Sequence, residues 1–267
     1  MDKRSRLSIW SDAAFRYLVA NTLSGVLPIY VITEYPKCGG TWVGQMVSDY
    51  LQLPFPRNRW IPVKASVHHA HYVYTPSIRN TLAVFRDGRD VMVSFYFHMM
   101  FENEKSSPHV VHKTRKALKF ADYNDVHSNL PTFIEYLFDI QSKSRSPFQF
   151  TWPEFVRSFE GKPGARVRYE ELVEDCPRAL SAALADLTGQ QVDMERVEAI
   201  SEKYSFKAQA NRPAGVEKKG SFLRKGRPGD WQEKFTPEAA RLFHELAGAE
   251  LIKLGYVRDG SWVDSLS

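Results

Sequence analysis

A short apolar run that leads into a glycine-containing loop and then into a helical pattern restricts the fold more than any other feature of the sequence. Residues 29–35 are mostly β-branched or aromatic, the loop follows at 36–40, and apolar side chains then recur at helical spacing as far as Leu51. A strand, a loop and a helix in this order form the first half of the unit that builds parallel sheets. The sequence therefore predicts an α/β fold with a central, mainly parallel sheet flanked by helices.

The rest of the chain continues this alternation. Further strands are predicted at 61–71, 81–86 and 165–169. Helices are predicted at the N-terminus, from Asp90 as N-cap, at 132–140, at 152–159, from Pro177, and from 236 to 255. The aperiodic, polar residues 101–131 are expected to form a mobile loop or lid, and 211–230 a basic loop. We expect one domain over 1–267, with an N-terminal helix within 1–27 packing on it.

Charge and cysteine content limit the partners. The chain has 36 basic and 31 acidic residues, a formal net charge of +5, and the two signs are interspersed, which favours a small anionic ligand over nucleic acid. Two cysteines do not support a disulfide framework, so a cytoplasmic location is expected. Polar residues interrupt the apolar segment 13–31, and no transmembrane segment is expected. A weak membrane-surface contact through Trp10, Phe15 and Leu18 is the alternative to core packing.

The loop after the first strand, Tyr35-Pro-Lys-Cys-Gly-Gly-Thr-Trp42, has the character of an anion site. Such a loop points backbone N–H groups and a helix N-terminus at an anion, while Lys37 adds a full charge and Thr41 a hydroxyl. The Walker A spacing is absent, which counts against ordinary ATP or GTP hydrolysis. For this motif alone, a generic glycine-rich turn is nearly as good an interpretation.

The segment Arg86-Asp-Gly-Arg-Asp-Val-Met-Val-Ser94 again lies where a predicted strand passes into a helix. Arg86 at the strand end and Ser94 one turn into the helix can bind a second phosphate. The alternative is that its charged residues pair with one another on a solvated turn.

A third segment, Gly220-Ser-Phe-Leu-Arg-Lys-Gly-Arg-Pro-Gly-Asp-Trp231, concentrates positive charge near the C-terminus. Arg224, Lys225 and the amide of Gly226 lie within three positions and can clamp a phosphate. Alone, this segment is equally compatible with a nucleic-acid-binding loop.

Together, the three segments resemble the signature of cytosolic-type, bacterial-like sulfotransferases that use 3′-phosphoadenosine 5′-phosphosulfate (PAPS). That family shows a Pro-Lys-Ser-Gly-Thr-Thr-Trp loop, an Arg-x-x-x-Asp-x-x-x-Ser segment and an Arg-Lys-Gly-x-x-Gly-Asp-Trp loop in this order. The resemblance spans roughly residues 30–255. It implies a P-loop nucleotide-kinase-like sulfotransferase fold and transfer of a sulfuryl group from PAPS to an acceptor hydroxyl or amine, without a metal.

The resemblance also implies roles for individual residues. Lys37 and Thr41 hold the 5′-phosphosulfate together with the loop amides, and Trp42 stacks on the adenine. The loop residues expected in the donor site are Lys37, Cys38, Gly39, Gly40, Thr41 and Trp42. The residues expected at the 3′-phosphate are Arg86, Ser94, Arg224, Lys225 and Gly226. Tyr169 and Phe206 are expected near the adenine, with a role in the core as the alternative for both.

A catalytic histidine is implied at the end of the strand that follows the first helix, where this chain reads Val67-His-His-Ala-His71. Strand alternation puts His69 and His71 on one face and His68 on the other. His71 lies nearest the carboxyl end, where open α/β sheets bind ligands, and is expected to be the general base. Lys37 is expected to stabilise charge on the leaving phosphate. His69 replaces the family lysine and is the alternative base.

Two other functions fit parts of the pattern. A nucleotide kinase or hydrolase would require Mg²⁺-dependent turnover of ATP, and a non-catalytic module that binds anions or nucleic acid would show steep salt dependence. Cys38 and Gly40 stand where the family has Ser and Thr, so donor binding is expected to rely more on backbone amides. The acceptor, whether a small molecule, a lipid or a glycan, and the oligomeric state are not specified by the sequence.

Overall fold

The computed structural model describes residues 6–56, 64–104, 108–144, 148–219, 221 and 223–266, and only the backbone of residues 6–10. The chain divides into two compact units. The first, the sheet unit, consists of Met1–Phe85 and Ser158–Tyr204, and the second, the helical unit, of Arg86–Arg157 and Ser205–Ser267.

All four predicted strands are present, and a helix follows directly after the first, the third and the fourth, as the sequence predicts. The strands are β1 Ile29–Glu34, β2 Ser66–Ala70, β3 Asn80–Phe85 and β4 Ala165–Arg168. The α-helices are α1 Arg6–Leu23, α2 Gly40–Leu51, α3 Gly88–Met100, α4 Pro108–Ala117, α5 Val126–Ser142, α6 Trp152–Ser158, α7 Tyr169–Glu174, α8 Cys176–Thr188, α9 Met194–Lys203, α10 Phe206–Ala210 and α11 Pro237–Lys253. Short 3₁₀ helices cover Asp230–Glu233 and Gly260–Leu266.

The sheet unit is built on a parallel sheet with the strand order β2-β1-β3-β4. The central strand β1 pairs in parallel with β2 and with β3, and Thr33 lies opposite both Ala70 and Ala83. β4 pairs in parallel with β3. All pairings in this sheet are parallel, as predicted, and the fold class is confirmed.

Burial on both faces explains why β1 reads as a continuous apolar run. Ile29, Val31 and Ile32 are at most 1% exposed, which is typical of a parallel strand covered by helices. Helix α2 contacts β1 and β2 and buries Val43 and Met46 completely. Each such side chain contributes about 1.5–3 kcal/mol through burial. This packing fixes the start of α2 at the carboxyl end of β1.

The helical unit is organised around α3, which contacts α4, α5 and α11. Gly88 leaves no room for a side chain, because a Cβ there would lie 2.7 Å from Phe243 Cζ and 2.8 Å from Trp152 Cδ2. The Trp152 indole N–H donates to the carbonyl of Arg86 at 3.2 Å. These contacts fix the first turn of α3 and the segment from Arg86 to Ser94 that it carries.

Several predicted boundaries are wrong. Helix α3 begins at Gly88, and its N-cap is Asp87, whose carboxylate accepts the Arg89 N–H at 2.9 Å. Asp90 therefore lies in the first turn of the helix and is not its N-cap. The reason is that β3 ends at Phe85, so the helix begins earlier than predicted. Tyr169 begins α7 instead of ending β4.

The predicted loop at 101–131 is wrong for 108–117 and for 126–131, which belong to α4 and α5. Helix α4 buries only Val111 and Thr114, and this narrow apolar face is too small to give a visible period in the sequence. Helix α9 was not predicted either, because its buried face is similarly narrow.

β2 is shorter than the predicted strand at 61–71. It ends at Ala70, so His71 follows the strand directly. The first part of the predicted strand, up to residue 63, lies outside the described residues.

The N-terminal helix is present as α1, which contacts β1 and buries Val19 and Ala20. Among the described residues, no helix has the length and apolar character needed to cross a membrane. Leu18 is 58% exposed, whereas the side chain of Trp10 lies outside the described part of the chain. The membrane-surface contact stays a prediction.

Candidate active site

The loop between β1 and α2 bends through two left-handed residues. Lys37 has φ 79° and Gly39 has φ 102°, and a Cβ at Gly39 would lie 2.9 Å from Tyr169 Cδ2. Gly39 is the N-cap of α2 and provides no side-chain cap. The backbone N–H groups in the first turn of α2 therefore need partners other than a cap side chain, as is typical of a helix terminus that can bind an anion.

One of these groups is Glu34, the last residue of β1, which the sequence analysis did not single out. Its carboxylate accepts the Gly40 N–H at 2.7 Å through Oε2 and the Nε2–H of His69 at 2.8 Å through Oε1. Burial raises the pKa of this carboxyl, but the His69 hydrogen bond, the nearby charges of His69 and His71 and the Gly40 N–H outweigh it, so the pKa is lowered overall. Glu34 is therefore an anion at neutral pH.

His71 lies beside this carboxylate at the carboxyl end of β2. Its Nδ1 is 3.1 Å from the backbone oxygen of Glu34, and because a carbonyl only accepts, Nδ1 carries the proton and Nε2 the lone pair. Burial, with a smaller contribution from His69, lowers the pKa of His71 to about 4 against the raising effect of Glu34. The ring is therefore neutral at pH 7.

The three histidines in and directly after β2 lie on the two faces that strand alternation predicts. The rings of His69 and His71 lie 4.9 Å apart at 80°, whereas His68 is buried and its Nε2 lies 3.0 Å from Ser66 Oγ. Burial lowers the pKa of His68 to about 4. His69 and His71 thus form a pair next to Glu34, and His68 belongs to the opposite face.

The other predicted residues of the sheet unit surround the same loop. Trp42 and Tyr169 meet edge to face with ring centroids 6.0 Å apart, and the Trp42 indole N–H donates to the carbonyl of Tyr204 at 2.8 Å. Cys38 and Thr41 are both buried. The sheet unit brings the predicted loop, Tyr169 and His71 together at the carboxyl ends of β1, β2 and β4.

In the helical unit, Asp90 holds the C-terminal loop. Its carboxylate accepts the Gly229 N–H at 2.7 Å and the Trp231 N–H at 3.0 Å, and the Arg86 guanidinium lies 3.9 Å away. Burial, together with the charge of Asp87, raises the pKa of Asp90 despite Arg86 and the two amides. A residue expected to cap a helix instead fastens the basic loop to α3, the helix that also carries Ser94.

The cations of the basic loop are paired with carboxylates. Arg224 contacts Glu217 and Asp230, and Lys225 contacts Asp230 at 2.5 Å and Glu233 at 3.0 Å. Burial lowers the pKa of the Lys225 amine, but Asp230 and Glu233 outweigh it and raise the pKa overall. Both side chains are held in place and fully charged.

Aromatic rings support this loop. The Arg224 guanidinium lies 4.3 Å from the ring centroid of Phe97, which belongs to α3. Gly226 has φ 64°, and a Cβ there would lie 2.2 Å from the Phe206 ring. Phe206, the first residue of α10, thus packs directly on the loop backbone, and the predicted residues of the helical unit form a second cluster.

The sequence did not lead us to predict the contacts of Glu34 or those of Asp90. Glu34 was detectable as the one charged side chain in an otherwise uncharged strand, placed immediately before the loop. The contacts of Asp90 were not detectable, because they join positions 139 and 141 residues apart.

A parallel α/β sheet with a glycine-containing loop after its central strand is an arrangement typical of α/β proteins that bind anionic ligands. The family model described as "Sulfotransferase domain" matches residues 56–255. The chain therefore belongs to the sulfotransferase family, and the predicted activity class is confirmed. The match begins after the loop at 35–42 and therefore does not include that loop.

Known relatives agree with this membership. Amine sulfotransferase of Oryctolagus cuniculus is 24% identical over 266 residues, covering 84% of this chain and 80% of the relative. A mouse sulfotransferase complexed with PAP has a TM-score of 0.62 at 18% identity, covering 98% of this chain and 94% of its own. Retinol dehydratase in a complex with retinol and PAP has a TM-score of 0.59 at 16% identity, covering 92% and 86%. The two structures share the fold of this chain.

Proposed function

We propose that the protein transfers a sulfuryl group from PAPS to an acceptor hydroxyl or amine, with His71 as general base. The observation that carries this proposal is the tautomer of His71. Its Nδ1–H donates to the backbone oxygen of Glu34, which leaves the Nε2 lone pair to take a proton from the acceptor. With a pKa of about 4, the ring stays unprotonated at neutral pH.

Lys37 is proposed to supply positive charge at the bridging oxygen of the leaving phosphate. The left-handed backbone at Lys37 and Gly39 supports a loop that turns its amides toward the 5′-phosphosulfate, with Trp42 and Tyr169 beside the adenine. The 3′-phosphate is assigned to Arg86, Ser94 and the Arg224-Lys225-Gly226 loop, with Phe206 supporting that loop. PAP, the product of the donor, is bound in both related structures.

The names of the relatives indicate a broad class of acceptor. The curated relative is an amine sulfotransferase, and retinol dehydratase binds retinol or androsterone. We propose a small organic alcohol or amine for this chain, with lipids and glycans as further candidates. One domain over 1–267, a cytoplasmic location and the absence of nucleic-acid partners stay predictions.

Donor binding is tested by calorimetric titration of the full chain with adenosine 3′,5′-bisphosphate (PAP) and with ADP, without magnesium. We expect PAP to bind more tightly than ADP, and Arg86→Ala to weaken PAP binding about tenfold or more, because a charge-assisted hydrogen bond is worth about 1.5–3 kcal/mol. Arg258→Ala, at an exposed position of the same unit, is the matched control. Equal affinity for PAP and ADP would overturn the donor assignment.

The base is tested by sulfate transfer to a panel of alcohols and amines. His71→Ala is expected to lower kcat by about 10²- to 10⁴-fold, the usual contribution of a general base, while PAP affinity stays unchanged. His127→Ala, an exposed histidine, should behave as wild type. If His69→Ala lowers kcat and His71→Ala does not, His69 is the base.

A further inference from the structure

Glu34, His69 and His71 form a compact set of metal-ligand side chains. Each residue offers one ligand atom, and these atoms lie within 4.8 Å of one another. Two imidazoles and one carboxylate are a ligand set that zinc binds in proteins with a fourth position left open. The side chains of Glu34 and His69 are only 5% and 11% exposed. The ligand atoms are therefore largely shielded from bulk water but still accessible to an ion.

From this geometry we propose that Glu34, His69 and His71 bind a divalent ion of the zinc class. The proposal goes beyond sulfuryl transfer, because it concerns a ligand that the reaction does not require. The ion would lie between the Glu34 carboxylate and the two rings, where a hydrogen bond of 2.8 Å now joins His69 Nε2 to Glu34 Oε1.

The surroundings of His71 and Glu34 already orient these two residues as ligands, whereas His69 must release its Nε2 proton to bind the ion. Metal-binding histidines usually donate their second ring N–H to a carbonyl or carboxylate, which fixes the tautomer. His71 does this with Nδ1 and the Glu34 backbone oxygen at 3.1 Å, so its Nε2 is the ligand nitrogen. The Gly40 N–H holds the second carboxylate oxygen of Glu34 at 2.7 Å, which leaves Oε1 directed at the histidines.

The charges also favour a cation. The Glu34 carboxylate brings a negative charge next to the two imidazole rings, and carboxylate and imidazole groups are common ligands of zinc. Imidazole donors select ions such as Zn²⁺ and Co²⁺ over Mg²⁺ and Ca²⁺, which prefer oxygen.

Binding of the ion has a consequence for the reaction, and this consequence rests on the proposed function. The lone pair of His71 Nε2 cannot accept the acceptor proton while it binds a metal. Zinc is therefore expected to inhibit sulfuryl transfer reversibly, and a chelator to restore it. The site would make the enzyme sensitive to free zinc.

The binding is tested on the full chain after treatment with EDTA and dialysis. Titration with Co²⁺ should give the visible absorption of a four- or five-coordinate ion, and calorimetry with Zn²⁺ should show one saturable site. His69→Ala and the isosteric Glu34→Gln should each weaken binding about tenfold or more, whereas His127→Ala should leave it unchanged. Thermal unfolding of each variant verifies that it is folded.

Equal binding by wild type and by folded His69→Ala and Glu34→Gln variants would overturn the proposal, as would the lack of a saturable site in wild type. The outcomes separate it from the proposed function. Zinc binding at this site without inhibition would keep the metal site and remove His71 as the base. Sulfuryl transfer by a protein that binds no zinc would keep the function and remove the metal site.

Discussion

The loop after β1 and the loop around Arg224 are both held by carboxylates of the protein, but with different partners. In the sheet unit, Glu34 accepts a neutral backbone N–H from Gly40. In the helical unit, Arg224 and Lys225 are full cations that are paired with Asp230 and with two glutamates. One region holds its proposed anion-binding group by a hydrogen bond and the other by ion pairs.

Because of this difference, an incoming phosphate would meet different carboxylates in the two regions. Arg224 and Lys225 face three carboxylates, so a phosphate competes with a carboxylate for these two cations. Glu233 is 65% exposed and Glu217 is 27% exposed, whereas Asp230 is 1% exposed. The glutamates are the partners that leave easily, since exposed ion pairs contribute little. In the sheet unit, Glu34 is buried, and we expect its charge to oppose a bound anion.

The largest expected difference between the two regions is their response to acid. His68 and His71 have pKa values lowered from 6.5 to about 4, so the unfolded chain binds more protons between these values. The free energy of unfolding is fully retained above pH 6.5 and falls as the pH drops toward 4. From pH 8 to pH 5, each histidine costs at most about 2 kcal/mol.

Urea unfolding in EDTA measures this loss, and hydrogen exchange assigns it to peptides. We expect the sheet unit to lose protection from hydrogen exchange first. In the helical unit, burial raises the pKa of Asp230, but Arg224 and Lys225 outweigh burial and lower the pKa overall. The ion pairs of Asp230 therefore persist to lower pH. His68→Gln should remove about half of the pH dependence, and the exposed control His127→Gln none. Equal loss of protection in both units would contradict the comparison.

A smaller effect is expected from the ion pairs of the helical unit. Arg224→Gln should weaken PAP binding about 10- to 100-fold, because it removes a charge-assisted contact worth about 1.5–3 kcal/mol. Calorimetric titration measures the change. Arg227→Gln removes an exposed charge from the same loop and serves as control. Equal weakening by both variants would mean that Arg224 acts only through the overall charge of the loop.

The smallest effect is expected at Glu34, and it has the opposite sign. Glu34→Gln keeps the shape of the side chain but removes the charge that opposes a phosphosulfate. PAP binding should become about fivefold tighter, equivalent to about 1 kcal/mol, while the exposed control Glu174→Gln changes nothing. A weaker affinity in the same titration would show that Glu34 organises the loop instead of opposing the anion.

Local signals were enough to predict the fold class and to single out most residues of the candidate site. The apolar run at 29–35 and the glycines after it predict β1 and the loop, because strand burial and tight turns depend on nearby residues. Alternation along the strand placed His69 and His71 together. The contacts of Asp90 with Gly229 and Trp231 depend on packing between distant segments, and no local pattern contains that information. Helix α4 was missed because its buried face is narrow.

The bond between Asp90 and the Gly229 amide also bears on the order of folding. It joins residues 139 positions apart, and contacts of such separation form only after the intervening chain has lost much of its entropy. The strand-loop-helix from β1 to α2 is local and can form early. The Arg224 loop is therefore expected to become ordered late, so a nascent or damaged chain acquires its sheet before it acquires this basic loop.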